Sequence, residues 1–309
     1  MKALLVDNVH NSAVEVLNNA GIDTVILPML SEIELCKIIH EFDAVLLRNL
    51  TFITENVIAN AKNLKVVGRV GAGLDNVDLQ AAKKAGICVI NSPDGNTIAT
   101  AEQTMALMLA LSRHIPSACA SAFMGKWERS RFTGNDLYGK TLGIIGFGRI
   151  GSRVAHLAQA FGMNIIVYSL VPSDEFPNFN SLEEFLPLCD YISLHVPKTP
   201  QTVGMINSKT IALMKKGVKI INCARGGLAV EKDLAEGIEK GIISGVAVDV
   251  FENEPEIKNS ILLKYPDFVV AAPHLGANTV ETQTKVATDI ATQVVDVLLG
   301  KNPKTPVCI

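Results

Sequence analysis

The fold of this chain is indicated by one segment, Gly143-Ile144-Ile145-Gly146-Phe147-Gly148-Arg149-Ile150-Gly151. An apolar strand ends here in a G-x-G-x-x-G pattern and a helix-forming segment follows, which is typical of a turn that binds a dinucleotide. Gly146 permits the tight turn, Gly148 leaves room for a pyrophosphate, and Gly151 lets the helix lie close to the strand. The predicted cofactor-binding residues of this turn are Gly146, Gly148, Arg149, Ile150 and Gly151.

Short apolar strands alternate with helical segments on both sides of this turn. One series contains it and comprises Thr141–Ile145, Ile165–Tyr168, Tyr191–Val196, Val218–Asn222, Val246–Val250 and Phe268–Ala271. An earlier series comprises Ala3–Val6, Thr24–Leu27, Ala44–Leu47, Lys65–Val70 and Cys88–Ile90. Strands that alternate with helices form parallel sheets with helices on both faces. The predicted fold class is therefore α/β, with two doubly wound parallel-sheet domains.

The boundary between the domains is predicted at a turn cluster, Asn91–Asn96, which precedes a helix that begins near Thr97. A last helix, from about Val280 to Leu299, has one apolar face and is assigned to the first domain. The chain of 309 residues is longer than one core usually serves. We expect a discontinuous first domain of residues 1–97 and 281–309, and a second domain of residues 98–280.

The composition excludes several classes of protein. Hydrophobic residues make up 48% of the chain, and 28 Lys and Arg oppose 31 Asp and Glu, so neither a disordered chain nor a nucleic-acid or anionic-membrane partner is expected. The apolar run Met105–Leu111 is too short for a membrane helix, and the N-terminus lacks a cleavable pattern, which favours a soluble cytoplasmic protein. Six cysteines lack a C-x-x-C pair, so no metal site or disulfide framework is predicted: Cys36, Cys88, Cys119, Cys189, Cys223 and Cys308.

The second strand of a dinucleotide-binding unit usually ends in an acid that binds the adenosine ribose. Here the strand ends Val167-Tyr168-Ser169-Leu170, so Ser169 takes the place of that acid. A serine can hydrogen-bond a hydroxyl but discriminates poorly between cofactors. No Lys or Arg lies close by to bind a 2′-phosphate, so NAD is favoured and NADP is not excluded.

Charged side chains follow the later strands at the edge where open α/β sheets bind ligands. Arg225, next to two glycines, offers a planar fork to a carboxylate or carbonyl. Asp249 or Glu254 could orient an imidazole, and a histidine is suited to proton transfer near neutral pH. His274 and His195 both follow a strand, and spacing alone favours His274 only modestly. An earlier pair of glycines, in Gly71-Ala72-Gly73, is interpreted as the site of a smaller anion.

These motifs, taken in order, resemble the D-isomer-specific 2-hydroxyacid dehydrogenase family. The resemblance spans nearly the whole chain and includes Gly68–Asp78, Asn91–Glu102, Gly125–Arg129, Gly139–Gly151 and the segments around Arg225, Glu254 and His274. It implies a flavodoxin-like substrate domain built from both chain ends, an inserted Rossmann domain, and a homodimer formed chiefly by the Rossmann domains.

The resemblance also implies a role for individual residues. His274 resembles the acid/base, Glu254 its partner, and Arg225 the residue that orients the substrate. Asp249 resembles the acid that holds the nicotinamide carboxamide, whereas His195 lies on a segment that lines the cofactor. The further residues that the resemblance places at the cofactor are Ala72, Val196, Pro197, Cys223 and Ala224.

The substrate expected from the resemblance is a phosphorylated 2-hydroxyacid. Arg48 and Arg69 match positions where family members that act on D-3-phosphoglycerate carry arginine, and Gly71, Ala72 and Gly73 with Arg225 would hold the carboxylate. The expected reaction converts D-3-phosphoglycerate and NAD to 3-phosphohydroxypyruvate, the first step of the phosphorylated route to serine. The resemblance also leads us to expect that the chain lacks the C-terminal regulatory domain of longer members.

Two other functions remain open at this point. An NADPH-dependent hydroxypyruvate or glyoxylate reductase shares the expected fold and catalytic residues. A dinucleotide-sensing transcriptional corepressor on the same scaffold belongs to another class, although no peptide-docking extension is visible near Met1 or Ile309.

Overall fold

The computed structural model of the chain describes residues 1–307. Cys308, one of the six cysteines predicted to be unpaired, lies outside the described residues. The chain divides into two compact units, Met1–Asn96 with Ala277–Ile309, and Thr97–Gly276. Within residues 1–307, no helix has both the length and the apolar character that a membrane span requires.

The first unit contains five strands and four short helices before residue 97. The strands are β1 (Lys2–Leu5), β2 (Asp23–Ile26), β3 (Ala44–Leu47), β4 (Val66–Arg69) and β5 (Cys88–Ile90). The helices are α1 (Ser12–Asn19), α2 (Glu32–Ile38), α3 (Glu55–Asn60) and α4 (Leu79–Lys84). The strands pair in parallel in the order β2-β1-β3-β4-β5. This order is that of a flavodoxin-like sheet, as expected.

The second unit contains the longer sheet. Its strands are β6 (Thr141–Ile145), β7 (Asn164–Tyr168), β8 (Asn178–Phe179), β9 (Tyr191–Leu194), β10 (Val218–Asn222), β11 (Ile243–Val248) and β12 (Val269–Ala271). Its helices are α5 (Thr97–Ser112), α6 (Ile115–Phe123), α7 (Arg149–Ala160), α8 (Leu182–Phe185), α9 (Ser208–Ile211) and α10 (Glu231–Glu239). The parallel order is β12-β11-β10-β9-β6-β7-β8. Since β9 and β7 flank β6, the chain reverses direction across the sheet at β6, and such switch points bind ligands.

Both predicted strand series are present, with differences at some ends. Strand β9 stops at Leu194, two residues before the predicted end, and β11 spans Ile243–Val248 where the pattern predicted Val246–Val250. Strand β8 is two residues long, too short to produce a periodic signal. Helix α6 was also not predicted from the sequence.

The last helix, α11 (Val280–Leu298), belongs to the first unit. Its predicted apolar face is buried, with Val286, Ile290 and Val294 at most 3% exposed. It packs closely on β4, because a Cβ at Gly68 would lie 2.8 Å from Ile290 Cγ2. Thr279 Oγ1 accepts a hydrogen bond from Thr282 N at 3.2 Å and caps the first turn.

Candidate active site

The glycine-rich turn joins β6 to α7 in the second unit. Gly146 has φ +96°, and a Cβ there would lie 2.8 Å from the His195 carbonyl carbon and oxygen. A Cβ at Gly151 would lie 2.0 Å from the Gly146 carbonyl oxygen, so only glycine allows the helix to start this close to the turn. Around Gly148, by contrast, a Cβ would meet no atom within 4 Å. The turn is tight where it packs on protein and open where a pyrophosphate would approach, so its residues fit a bound dinucleotide.

Ser169, at the end of β7, binds the glycine-rich turn. Its Oγ accepts hydrogen bonds from Phe147 N at 3.1 Å and from Val171 N at 3.3 Å. The hydroxyl therefore joins the strand end to the second residue of the G-x-G motif. Its contact with an adenosine ribose stays a prediction.

His195 follows β9 and lies beside the same turn. Its ring Nε2 is 2.8 Å from Ser193 Oγ, and Val196 approaches the position that a Gly146 Cβ would occupy. Burial lowers the pKa of His195 to about 3. Because an efficient acid/base has a pKa near the working pH, a ring held neutral in this way is not suited to the proton transfer for which His195 was a candidate. Pro197, the next predicted cofactor residue, is exposed.

The segment after β10 contains Arg225. Asn222, 4% exposed, donates from Nδ2 to the Arg225 carbonyl oxygen at 2.9 Å and accepts from Ala224 N at 3.1 Å. Arg225 donates from a terminal guanidinium nitrogen to the Ala224 carbonyl oxygen at 2.7 Å. The neighbouring Cys223 is buried, and burial raises the pKa of its thiol to about 12, so it is a packing residue and not a thiolate nucleophile.

His274 and Glu254 form the charged centre of this sheet edge. His274 Nδ1 lies 2.6 Å from Glu254 Oε2, and the side chains are 38% and 27% exposed. Glu254 Oε1 accepts from Phe251 N at 2.9 Å, which fixes the carboxylate. Burial favours the neutral form of Glu254 and raises its pKa. Three groups oppose this effect and together lower the pKa of Glu254 below the ordinary value: His274, through its hydrogen bond and charge, the Phe251 N–H and the Arg225 charge. The acid therefore stays ionised beside the imidazole.

Asp249 positions the backbone on which His274 lies. Its carboxylate is 1% exposed and accepts from Leu275 N and Gly276 N, each at 2.8 Å. The Asp249 carbonyl oxygen also accepts from His274 N at 2.8 Å. These bonds hold His274 at φ +56°, a left-handed conformation that is uncommon for a residue with a side chain. Burial raises the pKa of Asp249 against these hydrogen bonds. This role of Asp249 in holding the backbone of His274 was not predicted from the sequence.

The predicted anion-binding residues lie in the first unit, at the carboxyl ends of β3 and β4. Arg48 lines a cleft together with Gly71. Arg69 lies over the same glycine, since a Cβ at Gly71 would be 1.8 Å from a terminal guanidinium nitrogen of Arg69. The turn that contains Ala72 and Gly73 is held by Asn91, whose Nδ2 donates to the Ala72 carbonyl oxygen at 2.7 Å.

A buried carboxylate, which the sequence analysis did not single out, holds the Arg48 loop. Asp7 follows β1 and its Oδ2 accepts from Arg48 N, Leu50 N and Thr51 N at 3.1, 3.2 and 2.9 Å. Asn76 Nδ2 donates to the Arg48 carbonyl oxygen at 2.9 Å. Because these bonds use only the backbone of Arg48, its guanidinium is not needed to maintain the loop. An acid directly after a strand was the signal that could have revealed Asp7.

Glu254 and His274 are in contact in the second unit, whereas Arg48 and Arg69 belong to the first unit. Among residues 1–307, no three His, Cys, Asp or Glu side chains cluster as a metal site would require.

The sequence and the fold were compared with those of known proteins. Residues 105–276 match the NAD-binding domain of the D-isomer-specific 2-hydroxyacid dehydrogenases. The chain is 44% identical to the D-3-phosphoglycerate dehydrogenase of Synechocystis sp., over 100% of this chain and 56% of that protein. It thus spans little more than half the length of that relative.

Two solved structures resemble the whole chain. The TT0316 protein of Thermus thermophilus has a TM-score of 0.95 at 34% identity and covers 100% of both chains. A glyoxylate reductase from Paecilomyes thermophila has a TM-score of 0.88 at 31% identity and covers 99% of this chain and 98% of that one. The glycine-rich turn, the strand order of both sheets and the family match agree, and the chain belongs to the D-isomer-specific 2-hydroxyacid dehydrogenase family, with an NAD-binding domain at residues 105–276.

Proposed function

We propose that this protein is an NAD-dependent dehydrogenase that interconverts D-3-phosphoglycerate and 3-phosphohydroxypyruvate. The observation that carries the proposal is the 2.6 Å contact between His274 Nδ1 and Glu254 Oε2, on a sheet edge that also contains the glycine-rich turn. NAD, when bound, supplies the hydride acceptor for oxidation, and NADH supplies the donor for reduction. The residues of the chain supply the proton transfer and the orientation of the substrate.

The contact with Glu254 determines which ring nitrogen of His274 can react. An ionised carboxylate only accepts hydrogen bonds, so Nδ1 carries a proton and Nε2 of the neutral ring is bare. Nε2 accepts the hydroxyl proton of the substrate during oxidation. During reduction the imidazolium, stabilised by Glu254, returns the proton to the carbonyl oxygen. Arg225 presents its guanidinium to the carboxylate of the substrate.

The phosphorylated substrate is supported by two cations and by the relatives. Arg48 lines a cleft together with Gly71, and the Arg69 guanidinium lies over the same glycine, which suits a dianionic phosphate. The relative from Synechocystis sp. is named D-3-phosphoglycerate dehydrogenase.

We further propose that the protein is a cytoplasmic homodimer that associates through the second unit. Large apolar side chains are exposed on and after α6, including Phe123 at 93%, Trp127 at 87% and Tyr138 at 80%. Large apolar side chains exposed at a surface are typical of a subunit interface. Sedimentation equilibrium of the wild type and of Trp127→Glu tests the assembly. A monomeric wild type would refute it.

Steady-state kinetics test the reaction. NADH and NADPH are each combined with 3-phosphohydroxypyruvate, hydroxypyruvate and glyoxylate, and the highest kcat/KM is expected for NADH with 3-phosphohydroxypyruvate. His274→Ala should lower kcat about a hundredfold or more and leave NADH affinity nearly unchanged. A preference for NADPH and an unphosphorylated ketoacid would replace the proposal with a hydroxypyruvate or glyoxylate reductase. Normal NADH binding without turnover would favour a dinucleotide-sensing protein.

A further inference from the structure

The cleft that contains Arg48 has a histidine that the reaction proposed above does not use. His10 lies four residues after Val6, in the loop between β1 and α1, and lines the cleft with Arg48, Gly71, Asn96 and Gln283. All of these residues belong to the first unit. The lining has one guanidinium and no carboxylate. It also includes Thr282 and Gln283 from the first turn of α11, the end of a helix that favours negative charge.

The hydrogen bonds of His10 determine the tautomer of its ring. Ser12 N donates to Nδ1 at 3.3 Å, and Ser12 Oγ lies 3.1 Å from the same atom. A backbone N–H cannot rotate away, so Nδ1 must present its lone pair. The proton of the neutral ring is therefore on Nε2, and within residues 1–307 this nitrogen has no hydrogen-bond partner. His10 thus brings an N–H donor to the lining of a cationic cleft.

We propose that His10 determines specificity for the phosphorylated substrate by donating Nε2–H to a phosphate oxygen in the Arg48 cleft. This inference rests on the proposed function, which supplies the phosphate ester. Arg48 contributes the charge, and His10 contributes a directed donor whose tautomer is held by Ser12. The role is one of binding, so we expect His10 to affect KM and not the proton transfer.

His10→Asn is the sharpest test, because the asparagine side-chain oxygen can still accept from the N–H two residues later while the Nε2 donor is lost. We expect KM for 3-phosphohydroxypyruvate to rise about tenfold, as for one hydrogen bond to a charged group, with kcat changed less than twofold. KM for hydroxypyruvate should not change. His10→Ala is the second variant, and His40→Asn, at an exposed histidine of the same unit, is the matched control.

A direct binding experiment separates this inference from the proposed function. Inorganic phosphate is titrated into the full-length protein with ¹⁵N-labelled histidine, and the His10 Nε2 resonance should shift in the wild type. Phosphate should also bind more weakly to His10→Asn in calorimetry. An unmoved His10 resonance, or equal KM changes for both ketoacids, would overturn the role of His10 even if the wild type prefers the phosphorylated substrate. A wild type that prefers hydroxypyruvate but whose His10 responds to phosphate would refute only the proposed reaction.

Discussion

Replacing Glu254 with glutamine tests the acid/base centre without removing either side chain. Phe251 N donates to Oε1 at 2.9 Å, so the glutamine oxygen should remain there and its NH₂ should face His274. Nδ1 would then have to accept a hydrogen bond, which moves the proton of the neutral ring to Nε2. A ring protonated at Nε2 cannot take the hydroxyl proton of the substrate.

The structure sets the expected size of this effect. A hydrogen bond to a charged group contributes about 1.5 to 3 kcal/mol, and the lower value applies because the His274 side chain is 38% exposed. That loss alone corresponds to roughly tenfold in rate. The unfavourable tautomer adds to it, since general-base catalysis contributes about 10²-fold to 10⁴-fold. We therefore expect Glu254→Gln to lower kcat/KM for oxidation of D-3-phosphoglycerate about a hundredfold or more.

The assay is kcat/KM for NAD reduction, measured for the wild type and for Glu254→Gln at one pH. NADH affinity, measured by fluorescence, should stay close to that of the wild type. Glu256→Gln is the control, since Glu256 is exposed and pairs with Lys258 at 3.6 Å, away from the imidazole.

A double variant separates catalysis from a structural effect. If Glu254 acts through the imidazole, Glu254→Gln combined with His274→Ala should be no slower than His274→Ala alone. A Glu254→Gln enzyme with kcat/KM like that of the wild type would refute the proposed partnership. Additive losses in the double variant would instead indicate that Glu254 acts on the fold.

Three further predictions concern the cofactor, the substrate and stability. Ser169→Asp should raise the ratio of the NADPH Kd to the NADH Kd about tenfold, because a carboxylate can still accept from the turn and adds a charge that repels a 2′-phosphate. An unchanged ratio in fluorescence titrations would mean that the end of β7 does not face the ribose. Arg48→Gln and Arg69→Gln should each lower kcat/KM for 3-phosphohydroxypyruvate about tenfold to a hundredfold. The kcat/KM for hydroxypyruvate should hardly change. Equal losses of kcat/KM with both ketoacids would contradict a role of these arginines in phosphate binding. Burial lowers the pKa of His195 to about 3, so its contribution to stability is complete above about pH 6.5 and is lost as the pH falls towards 3, by up to about 1.4 kcal/mol per pH unit. The free energy of unfolding in urea should change less between pH 7 and pH 5 for His195→Asn than for the wild type or His40→Asn. Equal changes would exclude a His195 that stays neutral in the folded protein.

The fold class, the glycine-rich turn and the family could all be predicted from the amino-acid sequence. These features depend on local sequence. Gly146 and Gly151 belong to the same turn, and the fold class requires only that strands alternate with helices along the chain. The resemblance to the family added the pairing of His274 with Glu254. Spacing alone could not decide whether Asp249 or Glu254 is the partner of His274. Both acids follow β11, and a sequence pattern does not show which way a side chain points.

The partner of each polar group could be assigned only in the folded chain. Asp249 binds the backbone beyond His274, Ser169 binds the glycine-rich turn, and Asp7 holds the loop of Arg48. Each of these contacts joins residues at least 22 positions apart in the sequence. Their distances and angles depend on how the strands pair in the folded chain, which the composition does not reveal. The tautomer of His10 involves a neighbour only two residues away, yet its consequence depends on a cleft formed by both ends of the chain. Sequence patterns therefore predicted which residues reach the sheet edges, whereas hydrogen-bond geometry in the folded chain assigned their partners, because such bonds are directional and short-ranged.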